Sequence, residues 1–255
     1  MTSKLPQLLY EDLLPTRDSL RDSALIISNL QRLYIPKHPR QWQYGLHVNL
    51  RGLVTQNFNI DSMPMHASID LVRNKMRLGS AHWSLKDYSP PELFSNVRVW
   101  LESQKQDAQI DAIAFHPGVY RYDPVQSKKY ADALWWLQEQ FDGIVQSNRE
   151  GVMSPILLYP HHFDLSLAWF PFDDERQIAI GFSTGDEHIA EPYLYLTVYP
   201  QPDALESCGG PSESYWQTNG FSGRVLLYDE LYKSPDPEKL FASYANVMKK
   251  ARSLF

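Results

Sequence analysis

The chain has 255 residues, 43% of them hydrophobic and 21% charged, with a formal net charge of −6. That is enough apolar sequence for a sizeable core, and too acidic a balance for a general nucleic-acid binder or a protein drawn to anionic membranes. The one cysteine, Cys208, precludes an intramolecular disulfide and suits a reducing compartment; beside Gly209 and Gly210 it reads as a spare loop thiol.

The opening residues lack the apolar stretch of a secretory signal and are broken by Pro6. No apolar run nears the roughly 20 residues of a membrane helix. The expectation is therefore a cytoplasmic protein with no membrane segment. Thr16 reads as the cap of a helix reaching Tyr34, with Leu20, Ala24, Ile27, Leu30 and Tyr34 at helical spacing and Pro36 beyond it. From Tyr44 to Thr55 the period changes to two. Leu46, Val48 and Leu50 alternate with His47, Asn49 and Arg51, which predicts a strand with a bulge at Gly52. Two further strands follow, around Ala67 to Leu71 and Met76 to Trp83, with a tight turn at Asn74.

Ser89-Pro90-Pro91-Glu92 reads as a capping box that opens a helix whose apolar face is Leu93, Phe94, Val97 and Leu101. A short strand is predicted from Ile110 to Phe115. Asp123-Pro124 starts the next helix, where Trp135 and Trp136 point about 100° apart, so at least one belongs to the core. From Phe163 the residues alternate again. Phe163, Leu165, Leu167 and Trp169 make one face of a strand; His162, Asp164, Ser166 and Ala168 make the other. Strands at Arg176 to Phe182, Tyr193 to Tyr199 and Val225 to Tyr228 follow, then a long loop-like stretch from Pro200 to Gly223 between the last two, and a final helix from Asp236 and Pro237. The fold class is α+β, mainly antiparallel sheet with flanking helices. A helix, a His-bearing strand, further strands and a proline-started helix recur in order, which divides the chain into halves 1–120 and 121–255 of one compact unit. His47-Val48-Asn49-Leu50 parallels His162-Phe163-Asp164-Leu165, and Ser89-Pro90-Pro91-Glu92 parallels the Ser234 to Glu238 helix start. Capped helix starts are restricted in sequence, so the second match has an explanation without duplication.

Three chemistries compete. His162 and Asp164, with a third ligand from His161, His47, His66, Asp70, His82, His116 or His188, would suit a divalent metal and a hydrolase-like reaction. Against it, no paired Cys-x-x-Cys or His-Glu-x-x-His is present, and strand histidines are commonly just solvated. Gly181-Phe182-Ser183-Thr184-Gly185 fits the nucleophile-elbow spacing, yet a loop rather than a helix is expected after it. No glycine-rich phosphate cradle is present, so no nucleotide cofactor is expected. Acid clusters at Asp173, Asp174 and Glu175, and at Asp186, Glu187 and Glu191, read as solvated loops. The row Tyr193, Tyr195 and Tyr199 offers area and hydroxyls to an organic ligand, or else a second packing face.

Several stretches together are familiar: Trp42 to Thr55, Tyr122-Asp123-Pro124, Ser154-Pro155 leading to Phe163-Asp164-Leu165, Tyr193 to Pro202, and Leu226 to Tyr244. The chain resembles, through them, an uncharacterised bacterial family, the domain of unknown function numbered 5996. Phe-Asp-Leu and Arg-Gly-Leu fit that pattern, whereas the pair His161-His162 departs from it. The resemblance thus weights Asp164 and Arg51 over the histidines, and implies no activity, cofactor or catalytic residue. The expected function is binding of a small organic ligand through His47, Asn49, Arg51, His162, Asp164, Tyr193, Tyr195 and Tyr199. A metal-dependent hydrolase and a structural or interaction protein are the alternatives.

Overall fold

The computed structural model describes residues 5–106, 110–148, 150–173 and 175–255, and these fold as helices and antiparallel sheets, the α+β class expected. Residues 1–4 of the opening stretch, and Asp174 of the acid cluster, lie outside the described residues. Two units divide the chain. One comprises Glu11–Trp135 and Leu157–Phe163; the other comprises Trp136–Ile156 and Asp164–Phe255 with the described part of Met1–Tyr10.

In the Glu11–Trp135 unit, α1 (Tyr10–Tyr34) runs through Pro15 rather than starting after it. Thr16 is not its cap: the Thr16 hydroxyl, buried, accepts from the Asp123 amide at 2.9 Å. Most of α1 is buried, polar residues included, because these bind loops that have no ladder of their own. Gln31 is the clearest case: its amide nitrogen donates to Gln43 O (2.8 Å) and Gly45 O (3.0 Å), while its oxygen accepts from Gln56 N (2.6 Å). Ser28 Oγ likewise donates to Tyr44 O at 2.6 Å. Buried polar groups satisfied in this way fix loop positions that apolar packing would leave loose.

The strand expected from Tyr44 to Thr55 is two strands, β1 (His47–Asn49) and β2 (Gly52–Val54), turned back on each other at Leu50 and Arg51. The slip in alternation read as a bulge at Gly52 is this turn. A hairpin of β3 (Phe58–Ile60) and β4 (Met63–Met65) occupies the stretch read as a looser link. Then come β5 (Ala67–Asp70), the expected turn at Asn74 (φ 59°), β6 (Lys75–Leu78) and β7 (Ala81–Ser84). The single strand expected at Met76 to Trp83 is thus a second hairpin, bent at Gly79 (φ 56°). The sheet order is β1-β2-β5-β6-β7. α2 (Pro90–Ser103) has the capping box read from its sequence, with Ser89 N donating to the Glu92 carboxylate at 2.7 Å. No strand forms at Ile110 to Phe115. That segment is held instead by side chains, with Arg32 donating to Asp111 at 2.5 Å and Asp22 accepting from His116 N at 2.6 Å. α3 (Pro124–Ser147) begins at Pro124 as expected and contributes its second half to the other unit.

β9 (Leu157–Tyr159) belongs to the Glu11–Trp135 unit; the other unit is built on a sheet of β8 (Val152–Met153) and the long strands β10 (Asp164–Phe170), β11 (Gln177–Ser183) and β12 (Tyr193–Tyr199). Within Pro200 to Gly223, read as loop, an edge strand β13 (Ser214–Gln217) pairs with β14 (Gly223–Leu227), giving the order β13-β14-β12-β11-β10-β8. The helices are α4 (Tyr228–Lys233), α5 (Pro237–Ala245) and α6 (Val247–Arg252), so the single final helix expected is interrupted at Asn246. Asp236 caps α5 by accepting from Lys239 N at 2.9 Å. Trp136 and Phe141 pack with Phe241 as an aromatic cluster, both rings 5.9 Å from that of Phe241. Fully buried Tyr244 donates to Arg224 O at 2.6 Å, which ties α5 to the sheet. Cys208 is a buried thiol closing the short turn Leu205–Ser207.

The pseudo-repeat gains no support. Leu50 lies in an exposed turn, 68% accessible, whereas its counterpart Leu165 is fully buried in a central strand. The matched helix starts at Ser89 and Asp236 remain, as capping chemistry alone requires.

Candidate functional site

Three of the residues read as a site come together on one face of the larger sheet. The strand register sets Asp164 of β10 opposite Ser183 of β11, and Ser183 opposite Tyr193 of β12; the adjacent row is Ser166, Gly181 and Tyr195. Tyr195 lies across β11 and donates its hydroxyl to Asp164 Oδ2, two strands away. Gly181 makes this reach sterically feasible: a Cβ there would stand 2.2 Å from Tyr195 Cζ. Tyr193 donates to Asp186 Oδ2 at 2.5 Å, and Asp186 Oδ1 accepts from His188 N (2.7 Å) and Ile189 N (3.0 Å). The Tyr193, Tyr195 and Phe221 rings lie 6.1 to 6.4 Å apart, over Ile189 and Val225.

The electrostatics follow from burial. Burial first, then the Asp164 carboxylate, hold the Tyr195 proton far above the ordinary phenol range. Burial and the Asp186 bond do the same for Tyr193. For Asp186, burial pushes upward but is outweighed by the hydrogen bonds from Tyr193, Ile189 and His188, so its carboxyl titrates below the usual value. Acid and phenol in each pair are matched to one another, and this face is closely packed. Ser183 is not presented as a nucleophile, because its Oγ accepts from Gly185 N at 3.1 Å and no helix follows.

The other expected residues lie apart from this cluster in kind. Tyr199 is 70% exposed at the end of β12. His162 sits in an exposed turn and not on a strand face with Asp164: Phe163 between them is left-handed (φ 55°), and a spacing of two shares a face only in extended backbone. Asn49 and Arg51 belong to the exposed β1–β2 turn, where Asn49 Oδ1 accepts from Arg51 N (2.8 Å) and Gly52 N (3.1 Å). His47 is half-buried, and burial lowers its pKa. Among the described residues no three His, Cys, Asp or Glu side chains gather as a metal would require, and no helix is long and apolar enough to cross a membrane.

Two features escaped the sequence reading. One is a buried ionic network in the Glu11–Trp135 unit. Asp22, fully buried, accepts from Tyr120 Oη (2.5 Å) and His116 N (2.6 Å) and faces Arg21 Nε at 3.5 Å, while Asp18 pairs with Arg17 at 2.7 Å. It anchors the segment around His116 and Tyr120 to α1. The other is a groove of about 530 Å³ between the end of α3 and the α5–α6 pair. Buried Ile144, Phe241 and Met248 contribute apolar surface; Gln140, Lys239, Ser243, Asn246 and Lys249 supply polar groups. Gly143 also lines it, and a Cβ on Gly143 would meet nothing within 4 Å.

Among families, one of unknown function (DUF5996) has a model that matches residues 173–252, inside the larger-sheet unit. The match supports the resemblance over β11 to α6, taking in Asp186, Tyr193 and Tyr195; the stretches around Arg51 and Asp164 lie outside it. No curated protein and no solved structure matches the chain.

Proposed function

We propose that this protein binds a small organic molecule, and that the molecule occupies the groove between α3 and α5–α6. The observation that carries this reading is the groove itself. Its volume of about 530 Å³ falls within the roughly 300 to 1,000 Å³ of small-molecule sites, and it combines an apolar floor with a few polar groups. The tyrosine row is a weaker seat for a ligand, because the hydroxyls of Tyr193 and Tyr195 are engaged by Asp186 and Asp164. Gly143 adds to the argument. A glycine inside a helix is destabilising by roughly 0.5–1 kcal/mol relative to alanine, and here it lines the groove at a point where a Cβ would meet nothing within 4 Å.

The test is binding of a neutral fluorescent probe, N-phenyl-1-naphthylamine, to the full chain and to Gly143→Leu, whose side chain enters the groove. Saturable binding lost in the folded variant supports the reading. Binding that survives unchanged in Gly143→Leu, or no binding at all, overturns it.

A further inference from the structure

Resting on the groove as the binding site, we propose that its occupant is an organic anion, an apolar body bearing a carboxylate or phosphate, held by Lys239 and Lys249. The charge distribution leads to this class. Among the described residues lining the groove, two are lysines and none is a carboxylate, in a chain whose net charge is −6. A cleft of one sign in a surface of the other concentrates ligands of complementary charge.

The two lysines differ from their neighbours in what engages them. The last turn of α6 carries Lys249, Lys250 and Arg252. Lys250 Nζ donates to Gly209 O at 2.7 Å, and Arg252 pairs with Glu150 and lies over the Trp169 and Phe172 rings. Lys249 has no ion-pair partner among the described residues, and neither does Lys239 on α5, whose backbone amide alone meets Asp236. Both are exposed and line the groove.

One feature of the groove opposes an anion. The carboxyl end of α3 carries partial negative charge on its last carbonyls. One of those carbonyls is met three times over: Ile144 O accepts from Ser147 Oγ (3.0 Å), Asn148 Nδ2 (2.8 Å) and Asn148 N (3.1 Å). The lining of the groove thus carries two positive charges beside its apolar surface. An anion with a hydrocarbon or ring body meets both the lysines and the apolar edge of the groove, whereas a free inorganic ion meets the lysines alone.

The experiment compares two probes with one body, 8-anilinonaphthalene-1-sulfonate and the neutral N-phenyl-1-naphthylamine, on the full chain, the double variant Lys239→Gln/Lys249→Gln, and Gly143→Leu. Far-UV circular dichroism confirms that each variant is folded. An exposed charge pair contributes about 0.2–1 kcal/mol, so losing both lysines should raise the sulfonate's dissociation constant about 2- to 30-fold and leave the neutral probe unchanged. Raising salt from about 0.1 M to about 1 M, which shortens the Debye length from about 10 Å to about 3 Å, should weaken only the sulfonate. If Gly143→Leu removes both probes but the lysine variant and salt leave the sulfonate unmoved, the groove stands and the anion is refuted. If Gly143→Leu leaves both probes bound, the groove reading and the anion fall together.

Discussion

Gly143 and Gly181 allow one chemical change, glycine to alanine, to be read with opposite signs. Neither has a left-handed backbone, so the added Cβ decides the outcome. In Gly143→Ala the methyl group meets nothing within 4 Å and the residue lies inside α3. The helix gains about 0.5–1 kcal/mol from reduced unfolded-chain freedom, with no packing penalty. In Gly181→Ala the methyl group would stand 2.2 Å from Tyr195 Cζ and 2.3 Å from its hydroxyl, between neighbouring strands. The ring must lift by more than an ångström, which overpacks the face and breaks the bond to Asp164. Overpacking at about 1–3 kcal/mol and the lost charged hydrogen bond at about 1.5–3 kcal/mol give an expected destabilisation of about 2.5–6 kcal/mol. Urea unfolding followed by far-UV circular dichroism reads both as shifts of the midpoint in opposite directions. A neutral Gly181→Ala would refute the account of Tyr195 passing over β11; a destabilising Gly143→Ala would refute the open space that underlies the groove.

Tyr195→Phe should destabilise by about 1.5–3 kcal/mol by removing a hydrogen bond to the Asp164 carboxylate, and a double-mutant cycle with Asp164→Ala should show coupling; additive effects would dismiss the pair. Asp186 titrates below the ordinary 3.8, so its stabilising contribution is whole above that pH and fades as pH falls through the lower folded value. Acid unfolding curves of the native chain should therefore be steeper below that pH than those of Asp186→Asn; parallel curves would remove Asp186 from the account. Asn49→Ala should lower stability by about 0.5–1.5 kcal/mol through the β1–β2 turn while leaving probe binding intact, and altered binding with unchanged stability would return Asn49 to the list of ligand contacts.

What the sequence makes legible is whatever depends on neighbours in the chain. The strand Tyr193–Tyr199 follows from alternation alone, and the start of α2 from Ser89 and Glu92. Elements fail to show where the local pattern runs through a change of direction. The alternation from Leu46 to Arg51 slips at Gly52, which reads as a bulge in one strand where the chain instead turns back and two strands pair. β13, Ser214–Gln217, carries no apolar alternation and exists because β14 offers it an edge. The start of α1 is hidden by Pro15, tolerated there inside a helix that buries most of its later turns.

The candidate site divides along the same line, and the division has a chemical consequence. Asp164 and Tyr195 are 31 residues apart and meet only because register places them two strands apart over a glycine. The same acid and phenol pairing recurs at Asp186 with Tyr193 and at Asp22 with Tyr120. In all three the tyrosine proton is held above its ordinary range, first by burial and then by the facing carboxylate. A phenol so held is no base at neutral pH, and its carboxylate is already occupied by a donor. Asp164, Tyr193 and Tyr195 attract a ligand-binding reading because they are polar groups on strand faces, yet their partners make them fasteners of strands and loops. Ligand recognition requires groups whose charge is not met within the fold. On that criterion the argument moves from the tyrosine row to Lys239 and Lys249, which a helical pattern alone presents as ordinary solvent-facing residues.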